Sequence, residues 1–274
     1  MRQHRMETGL TSKAAAAAAR VLEPQLATLQ REYNELRREV FEAEQVQRKL
    51  AGPRRLTCGG YELISETFAS RSVSGDFFCA SRLGSTVMFA VGDIAGKGLA
   101  AGMWVSHLVS LIRVHAASAI APAETTAAIN EHLLRLQDDV PLTSMFLVKL
   151  DTARHQLEYC NAGHPPALLL RRGQVIQLDR GGPVMGALSN ARYQYGRVHL
   201  ERGDALVCYS DGLSESVNQA EEEFGAERVI SAAKAAAVVN SESLVFAVLG
   251  AVQDFIGTAP RRDDMSLVVM RRFE

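Results

Sequence analysis

Two hydrophobic periods divide the chain. Apolar residues recur at alternating steps of four and three at Leu22, Leu26, Leu29, Tyr33, Leu36, Val40, Ala43 and Leu50, and Gln47 is the polar member of the seam. That spacing lays one stripe along a helix and suits a coiled coil, with Arg31, Glu32, Glu35, Arg37, Arg38 and Glu39 supplying mixed charge between the seam positions. A polar Gln47 in the seam would fix register at some cost in stability. Pro24 is compatible with a first helical turn. The alanine-rich stretch TSKAAAAAAR at 11–20 reads either as a frayed helix or as a disordered lead-in. The pattern therefore gives a lead-in at 1–21 and, at 22–51, a helix that dimerises or carries a signal; the alternative is a helix packed on its own domain. Gly52 and Pro53 end it.

Beyond them the period falls to two. YELISETF alternates from Tyr61, and FFCASRLGSTVMFAVGD reads as two strands joined around Leu83, Gly84 and Ser85. GLAAGMWVSHLVSLIRVHAASA and ETTAAINEHLLRLQDD are helical, strands return at SMFLVKL, HQLEYCN, PALLLRRGQVIQL, YGRVHL and DALVCYS, two helices come next near 226–238 and 243–255, and the strand MSLVVMRRF closes the chain. Strands, two helices, strands, two helices and a last strand predict an α+β domain over 55–274, an antiparallel β-sandwich flanked by helices in αββα order.

Composition narrows the function. In 274 residues the formal net charge is -1, which gives no electrostatic footprint for nucleic acid. No apolar run approaches the ~20 residues that cross a bilayer, and the polar start MRQHRMETGLTSK does not read as a signal peptide, so a cytoplasmic protein without a membrane partner is expected. Cys58, Cys79, Cys160 and Cys208 lie far apart with no CxxC, the pattern of reduced structural thiols.

The candidate chemistry lies in carboxylates at strand ends. Asp76 sits in SGDFF, Asp93 ends VMFAVGD, Asp211 ends ALVCYSD, and the doublet Asp263–Asp264 precedes MSLVVM. At such positions a carboxylate projects from a rigid sheet into a shared cleft. One Asp beside a glycine is more often a turn residue. Several together repel, and a hard cation such as Mg²⁺ or Mn²⁺, which prefers oxygen ligands, relieves that repulsion.

In order along the chain, SGDFF (74–78), VGDIAGKGLAAGM (91–103), SMFLVKLD (144–151), YCNAGHPPALLL (159–170), GGPVMGAL (181–188), YSDGLSES (209–216), EEEFG (221–225) and RRDDMSLVV (261–269) resemble the metal-dependent protein phosphatase class, and within it the bacterial branch of the sporulation stage II E phosphatase and the stress-response sigma-factor regulators. The resemblance implies two Mn²⁺ or Mg²⁺ ions. Asp76 and Asp93 would bind them, Asp93 bridging both and the Ile94 carbonyl completing one shell, while Asp211 and Asp263 ligate from the other side. Asp263 is chosen over Asp264 because the class places its ligand first in this pair. The glycines of IAGKG would let the backbone come close to the site, and Lys97 is either a phosphate attractant or a solvated loop lysine. Where many relatives carry a further acidic residue, this chain has Cys79, which argues against a third metal, and His164 reads as a structural histidine.

The same resemblance implies a serine/threonine protein phosphatase that hydrolyses its substrate with a metal-activated water. By that resemblance the substrate would be a phosphorylated anti-sigma-factor antagonist; the heptad seam joined directly to the catalytic domain suggests, separately, a homodimer or a regulatory protein acting on the N-terminal helix through residues 24–50. The sequence offers no phosphate-cradling cysteine loop and no GxxxxGK[ST]. Two rivals stand beside this reading: a phosphatase-like dimeric scaffold without turnover, and a metal-dependent phosphatase of small metabolites.

Overall fold

The computed structural model describes residues 2–70, 73–117, 120–136, 140–236 and 240–274, and of residues 2–19 and 21 the backbone alone. It divides into two compact units, residues 1–45 and 46–274. The first consists of the helix α1 (Arg2–Ala51), whose last turns belong to the second. The Ala-rich stretch is helical, and α1 passes through Pro24 instead of starting there. One missing donor in a 50-residue helix does not break it, whereas the run of strong helix formers on either side favours continuation. Within the first unit Leu22, Leu26, Leu29, Tyr33 and Leu36 are all more than half exposed.

The second unit is a sandwich of two antiparallel sheets. One has the order β1 (Arg55–Cys58), β2 (Tyr61–Phe68), β12 (Met265–Arg272), β11 (Ala205–Tyr209), β7 (Ala167–Arg171), β8 (Gln174–Leu178). The other runs β10 (Gly196–His199), β6 (Gln156–Ala162), β5 (Thr143–Asp151), β4 (Thr86–Ile94), β3 (Asp76–Leu83), with the two-residue β9 (Gly181–Gly182) parallel to β6. Between them the inward faces close a core that includes Phe89, Phe146, Leu157, Leu169 and Leu206. Each such side chain withdrawn from water stabilises the fold by roughly 1.5–3 kcal/mol. Helices α2 (Leu99–Ala117) and α3 (Pro122–Leu136) cover the outer face of the β3–β4–β5 sheet, and, after the single turn α4 (Asp211–Ser214), α5 (Gly225–Ala236) and α6 (Ser241–Ile256) cover the other. The αββα order expected from the strand and helix sequence is the one observed.

Differences from the sequence reading have local causes. PALLLRRGQVIQL is a hairpin, β7–β8, because Arg172 and Gly173 both take positive φ and turn the chain. The four-residue β1 precedes the expected start at Tyr61 and folds back onto β2 through Gly59 and Gly60, again both at positive φ. Among the described residues α2 is the one helix long and apolar enough by itself to cross a bilayer, contrary to the sequence expectation. Val105, Leu108, Val109 and Ile112 spend that apolarity against the sheet.

Two features of this frame fix the site. Gly84 and Ser85 join β3 to β4, and unbroken pairing from Leu83–Thr86 carries the ladder to its far end, where Asp76 stands opposite Asp93. On the facing sheet β11 and β12 are neighbours, so the residues leaving β11, Ser210 and Asp211, lie beside those entering β12, Asp263 and Asp264. Both pairs come to one edge of the sandwich.

Candidate active site

Asp76 is 4% exposed and spans the gap between the sheets: its Oδ2 accepts from Ser210 Oγ at 2.7 Å, and Ser210 Oγ in turn accepts from the Ser266 amide at 2.9 Å. Burial pushes its carboxyl well above the ordinary range, the Ser210 hydrogen bond opposes that, and Asp93 adds to it. Asp93 is raised to about 6, first by burial and then by the charges of Asp211 and Asp263. Strand register sets Asp76 opposite Asp93, Ser210 beside Asp211 reaches Asp76, and the turn at Gly212 lies against Asp263, so the four carboxylates repel one another.

The loop after β4 brings backbone oxygens to the same place. A Cβ on Gly75 would stand 2.9 Å from the Ile94 carbonyl oxygen, 3.0 Å from Asp93 Oδ1 and 3.2 Å from the Gly96 carbonyl oxygen. Three oxygens thus converge on a space that any side chain at 75 would fill, a donor set suited to a hard cation. Gly212 is equally constrained, since a Cβ there would meet the Asp264 carbonyl oxygen at 1.9 Å. It lets the turn after β11 press against the entry to β12.

The aspartate doublet divides its labour. Asp264 Oδ1 accepts from the Ser70 amide (2.6 Å) and Ser70 Oγ (2.9 Å), and Oδ2 accepts from Ser74 Oγ (2.7 Å) and the Gly75 amide (2.9 Å). Burial alone would raise this carboxyl; the four donors outweigh it and hold Asp264 below the usual carboxylate range. With two donors on each oxygen it has little acceptor capacity left for a cation. Asp263 is half exposed and pairs with Lys97 Nζ at 3.0 Å, while Lys97 also donates to the Arg262 carbonyl oxygen at 3.0 Å. Lys97 is therefore bound to the cluster, and not simply solvated.

Among the described residues, no three His, Cys, Asp or Glu side chains already stand at the spacing of a metal centre. The reason is visible in their partners. Asp76 turns to Ser210, Asp263 to Lys97, and Asp211 Oδ1 to the Gly212 amide at 2.8 Å.

Cys79 points into the layer under α2 and α3, and burial pushes its thiol up to about 12. All four cysteines are free and buried. His164 is fixed in its turn by reciprocal hydrogen bonds with Asn161 and by Ser144 Oγ at 2.9 Å from Nδ1, and burial lowers its pKa to about 3. Ser70, Ser74 and Ser210, which carry the hydrogen bonds of the site, had no role in the sequence reading. The one signal, for Ser74 and Ser210, is a small hydroxyl residue one or two positions before an aspartate in SGD and SD; Ser70 has none.

Solved structures share this architecture. The PP2C domain of SiaA from Pseudomonas aeruginosa superposes with a TM-score of 0.76 at 18% identity, covering 87% of this chain and 98% of that one. The PP2C phosphatase domain of SpoIIE from Bacillus subtilis, with a fragment of its regulatory domain, gives 0.66 at 21% identity, covering 77% and 63%. The fold is that of the PP2C-type protein serine/threonine phosphatases. Residues 84–273 match the model of the Stage II sporulation protein E (SpoIIE) family, and the chain belongs to that family and to its sigma-factor-regulator branch of serine/threonine phosphatases. Phosphoserine phosphatase RsbU of Bacillus subtilis is 24% identical over 249 residues, 89% of this chain and 73% of RsbU. Protein IcfG of Synechocystis is 27% identical over 191 residues, and there the match spans 59% of this chain and only 30% of IcfG.

The doublet gives a direct test. Asp264→Ala removes the acceptor of four hydrogen bonds and should destabilise the protein by about 2–4 kcal/mol, whereas Asp263→Ala, which breaks an exposed pair, should change stability by less than about 1 kcal/mol. Urea unfolding of the two metal-free variants measures the difference, and equal effects would contradict the assignment.

Proposed function

We propose that the chain is a metal-dependent serine/threonine protein phosphatase whose site holds two Mn²⁺ or Mg²⁺ ions. The observation that carries the reading is the convergence of four aspartates from two sheets beside the oxygen-lined space at Gly75. Asp76, Asp93 and the Ile94 carbonyl would hold cations from one sheet, and Asp211 and Asp263 from the other. When bound, such cations supply Lewis acidity toward a phosphoryl oxygen and bring the pKa of a water near neutrality. The protein's own part is to place charge and exclude alternatives. Ser210 orients Asp76, Asp264 fixes the Ser74–Gly75 segment, and Lys97, once a cation takes Asp263, is left free to face a phosphate dianion. A relative crystallised with magnesium, RsbX, shares the fold with a TM-score of 0.61 at 15% identity.

The proposed substrate is a phosphoserine or phosphothreonine on an anti-sigma-factor antagonist, in the cytoplasm, with a regulatory protein acting on the N-terminal helix. RsbU is named a phosphoserine phosphatase, which supports phosphoserine as the first substrate to try. Hydrolysis of a phosphorylated antagonist protein should require Mn²⁺ or Mg²⁺ and stop with chelator, and Asp93→Asn should lower turnover at least about a hundredfold. Metal-independent turnover would refute the reading, Mn²⁺ binding without turnover would favour the scaffold, and preference for a phosphometabolite would move the substrate class.

We also propose a homodimer through residues 22–51, supported by the exposed seam Leu22, Leu26, Leu29, Tyr33 and Leu36. Sedimentation equilibrium should give twice the 29.8 kDa chain mass, falling to the monomer for Leu29→Glu/Leu36→Glu. A monomeric parent protein would exclude it.

A further inference from the structure

The last turn of α1 reaches the active-site edge through one side chain. Gln47 Nε2 donates to the Ser74 carbonyl oxygen at 2.8 Å, and its Oε1 accepts from the Ser74 amide at 3.3 Å. A neighbouring strand would satisfy a backbone in this way; here a carboxamide does it for a buried residue just before β3 begins.

The position of Ser74 gives the contact its weight. Ser74 Oγ and the Gly75 amide both donate to Asp264 Oδ2, Gly75 faces Asp93 Oδ1 and the Ile94 and Gly96 carbonyl oxygens, and the next residue is Asp76. A displacement of Ser74 would therefore move the wall of the oxygen-lined space and the first aspartate together. The segment is backed from the other side by α2: a Cβ on Gly102 would meet Val73 Cγ1 at 2.1 Å and Gln47 Nε2 at 3.4 Å. Arg113 of α2 donates to the Leu50 carbonyl oxygen at 2.6 Å and so ties the C-terminal end of α1 to the same helix. Gln47, read from the sequence as a register residue of a coiled-coil seam, instead spends its hydrogen bonds on the catalytic unit.

We infer that Gln47 is a positioning residue of the active-site edge, its carboxamide holding Ser74–Gly75–Asp76 in place so that cation binding and the seating of the last turn of α1 favour one another. The inference rests on the edge being a cation site, as proposed above. Linkage makes the effect reciprocal: whatever unseats Gln47 weakens the cation, and the cation resists the unseating. Both of these Gln47 hydrogen bonds go to the backbone of Ser74, so its effect on the proposed ligands passes through that residue.

Gln47→Leu and Gln47→Met keep side-chain size and helix propensity while deleting both hydrogen bonds. Each should weaken Mn²⁺ binding, measured by calorimetry, by about tenfold, the scale of one or two net hydrogen bonds. Turnover at saturating Mn²⁺ should fall less than affinity does. In the metal-free proteins, hydrogen exchange of the Ser74 and Gly75 amides should be slow in the parent and at least about tenfold faster in the variants. Unchanged Mn²⁺ affinity with unchanged exchange in either folded variant would overturn the inference, and so would unprotected Ser74 in the parent, a result independent of whether the variants fold. A parent protein that binds no Mn²⁺ but shows the exchange difference would overturn the cation reading and leave Gln47 as a loop clamp alone.

Discussion

Where β3 and β4 of one sheet meet the strand ends of β11 and β12 on the other, carboxylates of like charge are held near one another, Asp76 buried and Asp93 half-buried while Asp211 and Asp263 face solvent. Asp93 is pushed up by burial and by Asp211 and Asp263, and Asp76 by burial and by Asp93. Repulsion of this kind is tolerated only because rigid elements enforce it. The two ladders, closed by the β3–β4 turn and by the β11–β12 pairing, hold the aspartates in place, and the sandwich core holds the ladders.

Around that cluster the protein has placed groups that manage the charge without cancelling it. Ser210 takes one oxygen of Asp76, Lys97 one of Asp263, and the Gly212 amide one of Asp211. Each of these three groups makes one contact with its aspartate. Asp264 differs in kind: its four donors bind it to the Ser70–Gly75 segment, and its charge stabilises a loop. Adjacent residues in the chain are thus held differently, Asp263 half exposed beside Lys97 and Asp264 buried among its donors. Gly75 and Gly212 make the close packing possible because a Cβ at either would collide with backbone oxygens of this edge.

Much of this was legible in the sequence because it depends on period and turn chemistry. An unbroken hairpin centred on Gly84–Ser85 sets Asp76 opposite Asp93 by register alone, and the order of strands and helices implied the αββα layers. Other features depend on tertiary contacts that a linear pattern does not carry. The serines that hold the aspartates look like turn residues, the choice between Asp263 and Asp264 depends on which one meets Ser70 and Ser74, and Gln47 fits a heptad as well as it fits a loop. Local chemistry also misled at Pro24, where a long helix absorbs one missing donor, and at Arg172–Gly173, where two positive φ angles break an apparent single strand.

Diffraction from crystals grown with Mn²⁺, recorded on the manganese absorption edge, tests the convergence of these aspartates on a cation most directly. Two anomalous peaks are expected beside Gly75, within coordination distance of Asp93 and the Ile94 carbonyl oxygen, with Asp76, Asp211 and Asp263 turned toward them and Asp264 still bound to Ser70 and Ser74. Manganese absent from this edge at saturating concentration, or Asp264 ligating in place of Asp263, would contradict it.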